Sequence, residues 1–312
     1  MPTQQIPFQS DHFTLHQLAE GGFAAIAKNG GAAVANAGII DLGDRTLVYD
    51  TFLTPQAARD LLAAAQQVTS REPELIVNSH YHNDHIWGNQ VFSPRANIIS
   101  TTQTWHLIQT EGKEEIEWGN KSSVARLEQA RKQYDSAEDE RSRQDALLWV
   151  GYWQSLIDNM PNLQVRLPDI TFEDKLTIRG STRTVELIPF EGTHTGSDAI
   201  LYLPEEQIVF ATDLLFVNCH PFLAEGDVHK LKQALNELSS MKAETYVPGH
   251  GPLGTMEDIQ SNIKYISTCL DFANKLTDDQ TAPMDIPDEF SSWELSNFFW
   301  INVEALTSKL QK

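Results

Sequence analysis

Cysteine is almost missing from this chain. Cys219 and Cys269 are the only two, they form no CxxC pair, and no disulfide framework is implied. Basic residues are also scarce. Lys and Arg number 23 against 43 Asp and Glu, a formal net charge of −20. Such a surface repels nucleic-acid phosphates and anionic membranes, so neither is an expected partner. Most of this charge reads as solvation. The opening residues, MPTQQIPFQSDHF, show no basic start followed by an apolar run, so no signal peptide is visible. No stretch approaches ~18 uninterrupted apolar residues, which leaves a membrane span unexpected. The expected location is the cytoplasm. No GxSxG appears, so nothing points to a serine nucleophile. Internal repeats and low-complexity linkers are lacking too.

What is present suits a folded α/β protein. Hydrophobic residues make up 41% of 312, enough for a sizeable core. Residues 13–50 read as short strands and tight turns. AGIIDLGDRTLVYD has the pattern of a hairpin turning near Gly43-Asp44. A helix follows, with Thr54 as N-cap, Pro55 at the first position and an apolar stripe of Ala58, Leu61, Leu62 and Ala65. ELIVNS (74–79) is a buried-strand pattern. The order strand, helix, strand predicts a sheet covered by helices.

Residues 102–158 change character. They are charged, helix-forming and poor in Gly and Pro, and read as an insertion of two or three helices. Val124, Leu127, Ala130 and Tyr134 keep helical spacing there. Trp118, Trp149, Tyr152 and Trp153 are the aromatics that a lid over an active site would use, although aromatics at helical spacing more often form core. From 163 to 211 short strands return as LQVRL, ITF, KLTI, TVELIPF, AILYL and QIVFA. Asp227 caps a helix bearing Val228, Leu231, Leu235 and Leu238. TYV (245–247) is a further strand, and residues 256–275 and 292–311 read as closing helices. The whole of 1–312 is expected to be one domain of two packed sheets with helices outside.

The chemistry starts in HYHNDHIWGN, directly after ELIVNS. His80, His82, Asp84 and His85 fall within six residues. Imidazole nitrogens and carboxylate oxygens are what a borderline ion such as zinc binds. In extended backbone, residues two apart point the same way, so His80 and His82 can aim at one ion. The turn that follows can bring Asp84 and His85 to a second. Three later residues follow strands: His194 in EGTHTGSD, Asp213 in FATDLLF and His250 in VPGHGP. Strand C-termini are where α/β folds place their sites.

HYHNDH, THTGSD, ATDLLF and PGHGP, in that order, resemble the metal-binding motifs of the metallo-β-lactamase superfamily over most of residues 13–255. The resemblance implies an αβ/βα four-layer sandwich with the metals at one edge. It implies that His80, His82 and His194 bind a first metal, that Asp84, His85 and His250 bind a second, and that Asp213 bridges them. Asp50, closing TLVYD, corresponds to a family Asp that supports the site. The implied cofactors are two zinc ions, with iron or manganese as alternatives. The implied reaction is hydrolysis of an ester, thioester, lactone or lactam by a hydroxide bridging the ions. Asp84 would be catalytic, orienting that hydroxide and shuttling its proton. Ser197 and Asp198 read equally as partners that steady the ligand histidines and as residues that start a strand.

Within the family, Asp213 resembles the ligand set of glyoxalase II-type and lactonase-type hydrolases, since secreted zinc β-lactamases usually have Cys or Ser there. The residues 256–312 hold only Lys264, Lys275, Lys309 and Lys312, few for gripping glutathione. Lactonases tend to have a Tyr where this chain has Phe216. An iron-containing redox or oxygen-handling enzyme is one alternative, although those members commonly carry Glu where this chain has His82. An RNA or phosphodiester hydrolase is another, and the −20 charge fits it poorly. The expected partner is a small-molecule substrate, with Tyr81, Trp87, Phe216, Asn218 and His220 as candidates to line its pocket and core packing as an equal reading for Trp87 and Phe216. Monomer and homodimer both stay open, and WELSNFFWI (293–301) reads as a docked terminal helix before a dimer surface.

Overall fold

The computed structural model describes residues 3–277 and 285–311. Two sheets face each other. The first has eight strands in sequence order: β1 (Gln4–Ile6), β2 (Phe13–Ala19), β3 (Gly22–Ala27), β4 (Ala37–Asp41), β5 (Thr46–Tyr49), β6 (Leu75–Val77), β7 (Asn97–Thr101) and β8 (Ile170–Phe172). Its first five strands are antiparallel, and the three pairings from β5 onward (β5–β6, β6–β7 and β7–β8) run parallel. The second sheet follows the order β13 (Thr245–His250), β12 (Ile208–Phe216), β11 (Asp198–Leu203), β10 (Thr184–Phe190) and β9 (Leu176–Arg179). Only β12–β13 is parallel there.

Alternation along the strands builds the layers. In β4, Ile39 turns outward to a helix while Ile40 turns inward to the other sheet. In β5, Val48 does the first and Leu47 and Tyr49 the second. In β12, Val209 and Ala211 face outward while Ile208 and Phe210 face the first sheet. Both faces of each sheet are therefore buried, and the strands read as nearly continuous apolar runs.

The outer face of the first sheet is covered by α1 (Pro55–Thr69). Its Ala57, Ala58, Leu61, Ala64 and Ala65 pack on Val48, Ile76 and Ile98. Thr54 caps it by accepting from Ala57 N, a contact worth about 1 kcal/mol. The outer face of the second sheet carries α6 (Val228–Ser240), α7 (Met256–Thr277) and α8 (Asn297–Leu310). The result is helix, sheet, sheet, helix.

Between β7 and β8 lie the two long helices α4 (Thr102–Ser136) and α5 (Glu140–Asn159). Ile108, Leu127, Ala130, Trp153 and Leu156 pack with Tyr81, Ile86 and Trp87, the neighbours of the histidine motif. Thr101 and Thr104 pin the start of α4 to Ser197. The pair thus roofs one end of the sandwich.

Several expectations need correction. LQVRL (163–167) is not a strand; it is irregular chain leading into β8. Val124 is 61% exposed and stands outside the apolar stripe that Leu127 and Ala130 form. The last helix begins at Asn297 and not at 292, because Trp293 and Leu295 are spent on packing before it and Leu295 has a positive φ. Ile301 on that helix is exposed while Phe299 is fully buried against α7, so it docks as expected. The closing helix 256–275 runs to Thr277. Cys219 and Cys269 are both buried free thiols.

Candidate metal centre

The seven side chains converge. Ligand atoms of His80, His82, His194 and Asp213 lie within 4.8 Å of one another, and so do those of Asp84, His85 and His250. Asp213 stands between the groups. Its Oδ1 is 3.2 Å from His85 Nε2, and its Oδ2 is 3.2 Å from His194 Nε2 and 3.5 Å from His250 Nε2. His80 Nε2 lies 3.9 Å from Oδ2. Asp84 Oδ2 is 3.4 Å from His250 Nε2 and 3.9 Å from His85 Nε2.

The backbone explains how the residues meet. His80 follows β6, His82 is extended, and α2 (Asn83–Ile86) turns Asp84 and His85 back over the sheet end. Asp213 sits inside β12 and not after it, where the β12–β13 register shifts around Thr212, itself at φ 46°. That irregularity re-aims the carboxylate, as bulges next to functional sites do. His250 is the last residue of β13 and is not beyond it. Gly249 leaves the space Asp213 needs: a Cβ there would lie 1.8 Å from Asp213 Oδ1.

Hydrogen bonds fix the tautomers. Ser79 Oγ donates to Asp50 Oδ2 (2.8 Å) and accepts from Thr212 Oγ1 (2.9 Å). With its one proton used, it must also accept from His80 Nδ1 at 2.9 Å. Asp50 Oδ2 also accepts from His85 Nδ1 at 2.8 Å. The Nε2 lone pairs of His80 and His85 are thereby turned into the cluster. Both atoms, and Asp213 Oδ1, are buried with no hydrogen-bond partner. Buried polar atoms are rarely left so, and cations held by the two ligand groups would satisfy them. Asp198 holds the other loop, accepting from the backbone N–H of His194 (3.0 Å) and from Thr193 and Thr195. Ser197 bonds Thr101 and Thr195 but no ligand histidine.

Charge follows the same geometry. Burial works against ionising Asp213, yet His250, His85 and His194 outweigh it and hold the carboxyl well below the usual range. His85 and His194 are raised despite burial, chiefly by Asp213. His80 is pushed well below its usual value by burial and by the neighbouring histidines. Burial raises Asp50, with His85 and Ser79 opposing.

The cluster is open on one side. His82, Asp84 and His250 keep 12–17% of their side-chain surface exposed, while His80 and His85 keep none. Around that rim, Tyr81 donates to Glu225 (2.6 Å), and Asn83 donates to Tyr152 of α5 (3.0 Å). Burial, and then the neighbouring Asp84, hold the carboxyl of Glu115 on α4 well above the usual range, and Glu115 in turn adds to the burial that raises Tyr152. Phe216 is buried and stacks on His250 at 4.8 Å. Of the other pocket candidates, Trp87 is core, and His220 is fully buried against Tyr265, away from the cluster. Asn218 is exposed at φ 56°. Glu225, Glu115 and Ser79 are rim and support residues that the sequence reading missed, and no local motif marks Glu225 or Glu115. Ser79 alone had a signal, its place beside His80.

Residues 30–250 match the family model described as the metallo-beta-lactamase superfamily. The chain belongs to the metallo-β-lactamase superfamily. Solved structures agree on the fold. A metallo-beta-lactamase from Pontibacter korlensis is 16% identical, with a TM-score of 0.56 over 85% of this chain and 99% of that one. A metallo-beta-lactamase from Erythrobacter litoralis is also 16% identical, with a TM-score of 0.59 over 85% of this chain and 100% of that one. Superfamily membership and the His/Asp cluster together are consistent with a metal-dependent hydrolase. Among the described residues, no helix is long and apolar enough to cross a membrane.

Proposed function

We propose that this superfamily member is a hydrolase holding two divalent ions, zinc being the best match to the donor set, and that it cleaves an ester, thioester, lactone or lactam. One observation carries the reading. A single carboxylate, Asp213, lies within 3.2–3.9 Å of four histidine nitrogens drawn from three separate segments. His80, His82 and His194 would hold one ion, Asp84, His85 and His250 the other, with Asp213 shared. Imidazole and carboxylate are the ligands of catalytic zinc. Two such ions supply an activated water and an electrophilic partner for a carbonyl oxygen.

The chain's own residues do the rest. Asp84 turns Oδ2 to His85 and His250, leaving Oδ1 to orient the attacking water and take its proton. Asp50 and Ser79 keep His85 and His80 in the tautomers that present Nε2. Helices α4 and α5 cover Tyr81 and Trp87 and keep bulk water from that side. Substrate enters over the exposed edge formed by His82, Asp84 and His250. A hydrolysis screen on zinc-loaded protein, covering lactones, thioesters, phosphodiesters and β-lactams, tests the reading, together with metal analysis. Turnover of a carbonyl substrate that His82→Ala abolishes while circular dichroism is unchanged is the expected result. Equal turnover by variant and wild type refutes it.

A further inference from the structure

His82 is the most exposed histidine of the cluster, and the buried Asp50–Ser79 network that fixes His80 and His85 does not reach it. Its Nδ1 faces His194 Nε2 at 3.3 Å, on the cluster side. Its Nε2 faces outward, 3.4 Å from Glu225 Oε2. The other oxygen of that carboxylate accepts from Tyr81 Oη at 2.6 Å, so the carboxylate is braced before it meets the imidazole.

The segment bearing Glu225 is itself tied down. Gly226 N donates to His194 O at 3.0 Å, and Asp227 N donates to Gly192 O at 3.0 Å. A Cβ on Gly226 would lie 1.8 Å from Thr193 O, so only glycine permits this approach. Lys309, near the end of α8, donates to the carbonyls of both Glu225 and Gly226. The loop of His194 and the loop of His82 are thus joined through residues 225–227 and locked from the C-terminal helix.

We propose that Glu225 is a positioning residue that holds His82 with Nδ1 turned to the first metal position, so that retention of that ion depends on the 225–227 segment. The proposal rests on the two-ion reading of the site. A histidine ligand is aimed by whatever its second nitrogen donates to, and losing such a partner typically costs 10–100-fold in metal affinity. Glu225 reaches no group of the Asp84, His85 and His250 set, so its effect falls on one ion and spares the other.

The test is a zinc titration of chelator-stripped full-length protein against a competing indicator, for wild type, Glu225→Ala and Glu225→Gln. Histidine ring nitrogens are read in parallel by long-range 1H–15N correlation. Wild type should bind two ions. Glu225→Ala should lose about 10–100-fold in affinity for one ion only, with the His82 ring signals shifted. Glu225→Gln keeps an acceptor oxygen and should stay within about threefold. Wild-type affinities and unchanged His82 signals in Glu225→Ala overturn the proposal, and so does an equal loss at both ions. Should Glu225→Ala not fold, Glu225→Asp, too short to span 3.4 Å, takes its place with the same criteria. A wild type that binds no zinc counts against the two-ion reading, and is thereby told apart from a failure of Glu225 alone.

Discussion

Asp50 Oδ2 accepts from His85 Nδ1 at 2.8 Å, and the same carboxylate takes the N–H and hydroxyl of Ser79. Asp50 stands at φ 60°, a left-handed conformation that costs a non-glycine residue of order 1 kcal/mol or more. Three hydrogen bonds to a fully buried carboxylate hold it there. One side chain thereby sets the tautomers of two histidines, directly for His85 and through Ser79 for His80.

Asp50→Asn should therefore weaken metal binding without unfolding the protein. The amide is the same size but can face His85 Nδ1 with a donor. Loss of such a support typically costs 10–100-fold in metal affinity. Atomic absorption after dialysis should show fewer ions per chain than in wild type. Full occupancy in the variant would show that Asp50 is merely structural.

Gly249→Ala should act on Asp213 with no change to any charged group. The added methyl would meet Asp213 Oδ1 at 1.8 Å, with backbone behind it, so the carboxylate must move. A displacement of about 1 Å at a reacting centre can cost on the order of 10²-fold in rate. Turnover and zinc stoichiometry should both fall, and a variant with wild-type turnover would mean that Asp213 is not held where this geometry places it.

Much of this was legible in the residues. Thr54-Pro55 marks the start of α1, and the apolar runs Ile39-Ile40 and Leu47-Val48-Tyr49 on either side of a turn at Gly43-Asp44 mark β4–β5. The convergence of His80, His82, Asp84 and His85 followed from their spacing. What stayed hidden depends on contacts distant in sequence. Glu225 meets Tyr81 across 144 positions, and nothing in FLAEGD marks it. Asp213 and His250 follow the apolar runs QIVFA and TYV, so the sequence pattern alone puts them just past the strand ends. The strands continue, since β12 and β13 pair on through the polar residues. LQVRL has a strand's composition, yet no neighbour pairs with it. Periodicity reports which residues can be buried and not which backbone finds a partner.

Adding zinc to stripped protein should raise its stability. A ligand that binds only the folded chain contributes about 2.7 kcal/mol at a hundred times its dissociation constant. Thermal unfolding at rising zinc concentration should move the midpoint upward, and the shift should vanish in Asp213→Ala. A midpoint indifferent to zinc would rule out binding in the micromolar range.

The pH dependence of that stability should reverse with metal loading. His85 and His194 are raised above their ordinary 6.5, mainly by Asp213 acting against burial. A histidine that binds its proton more tightly when folded contributes fully below its unfolded pKa. That contribution is lost as pH rises through the folded value. His80 is depressed by burial, so its effect runs the other way, and stability falls as pH drops below 6.5. Asp213, held very low by the histidines, keeps its contribution until strongly acid pH. Stripped protein should thus be most stable near about pH 6.5 as far as this cluster governs it, and lose stability as the pH rises from there through the raised values of His85 and His194. Zinc competes with protons for the same nitrogens, so the loaded protein should gain over that interval. Differential scanning calorimetry of stripped and loaded protein at several pH values measures both slopes. Identical slopes in the two forms would show that the ions and the protons do not share His85 and His194.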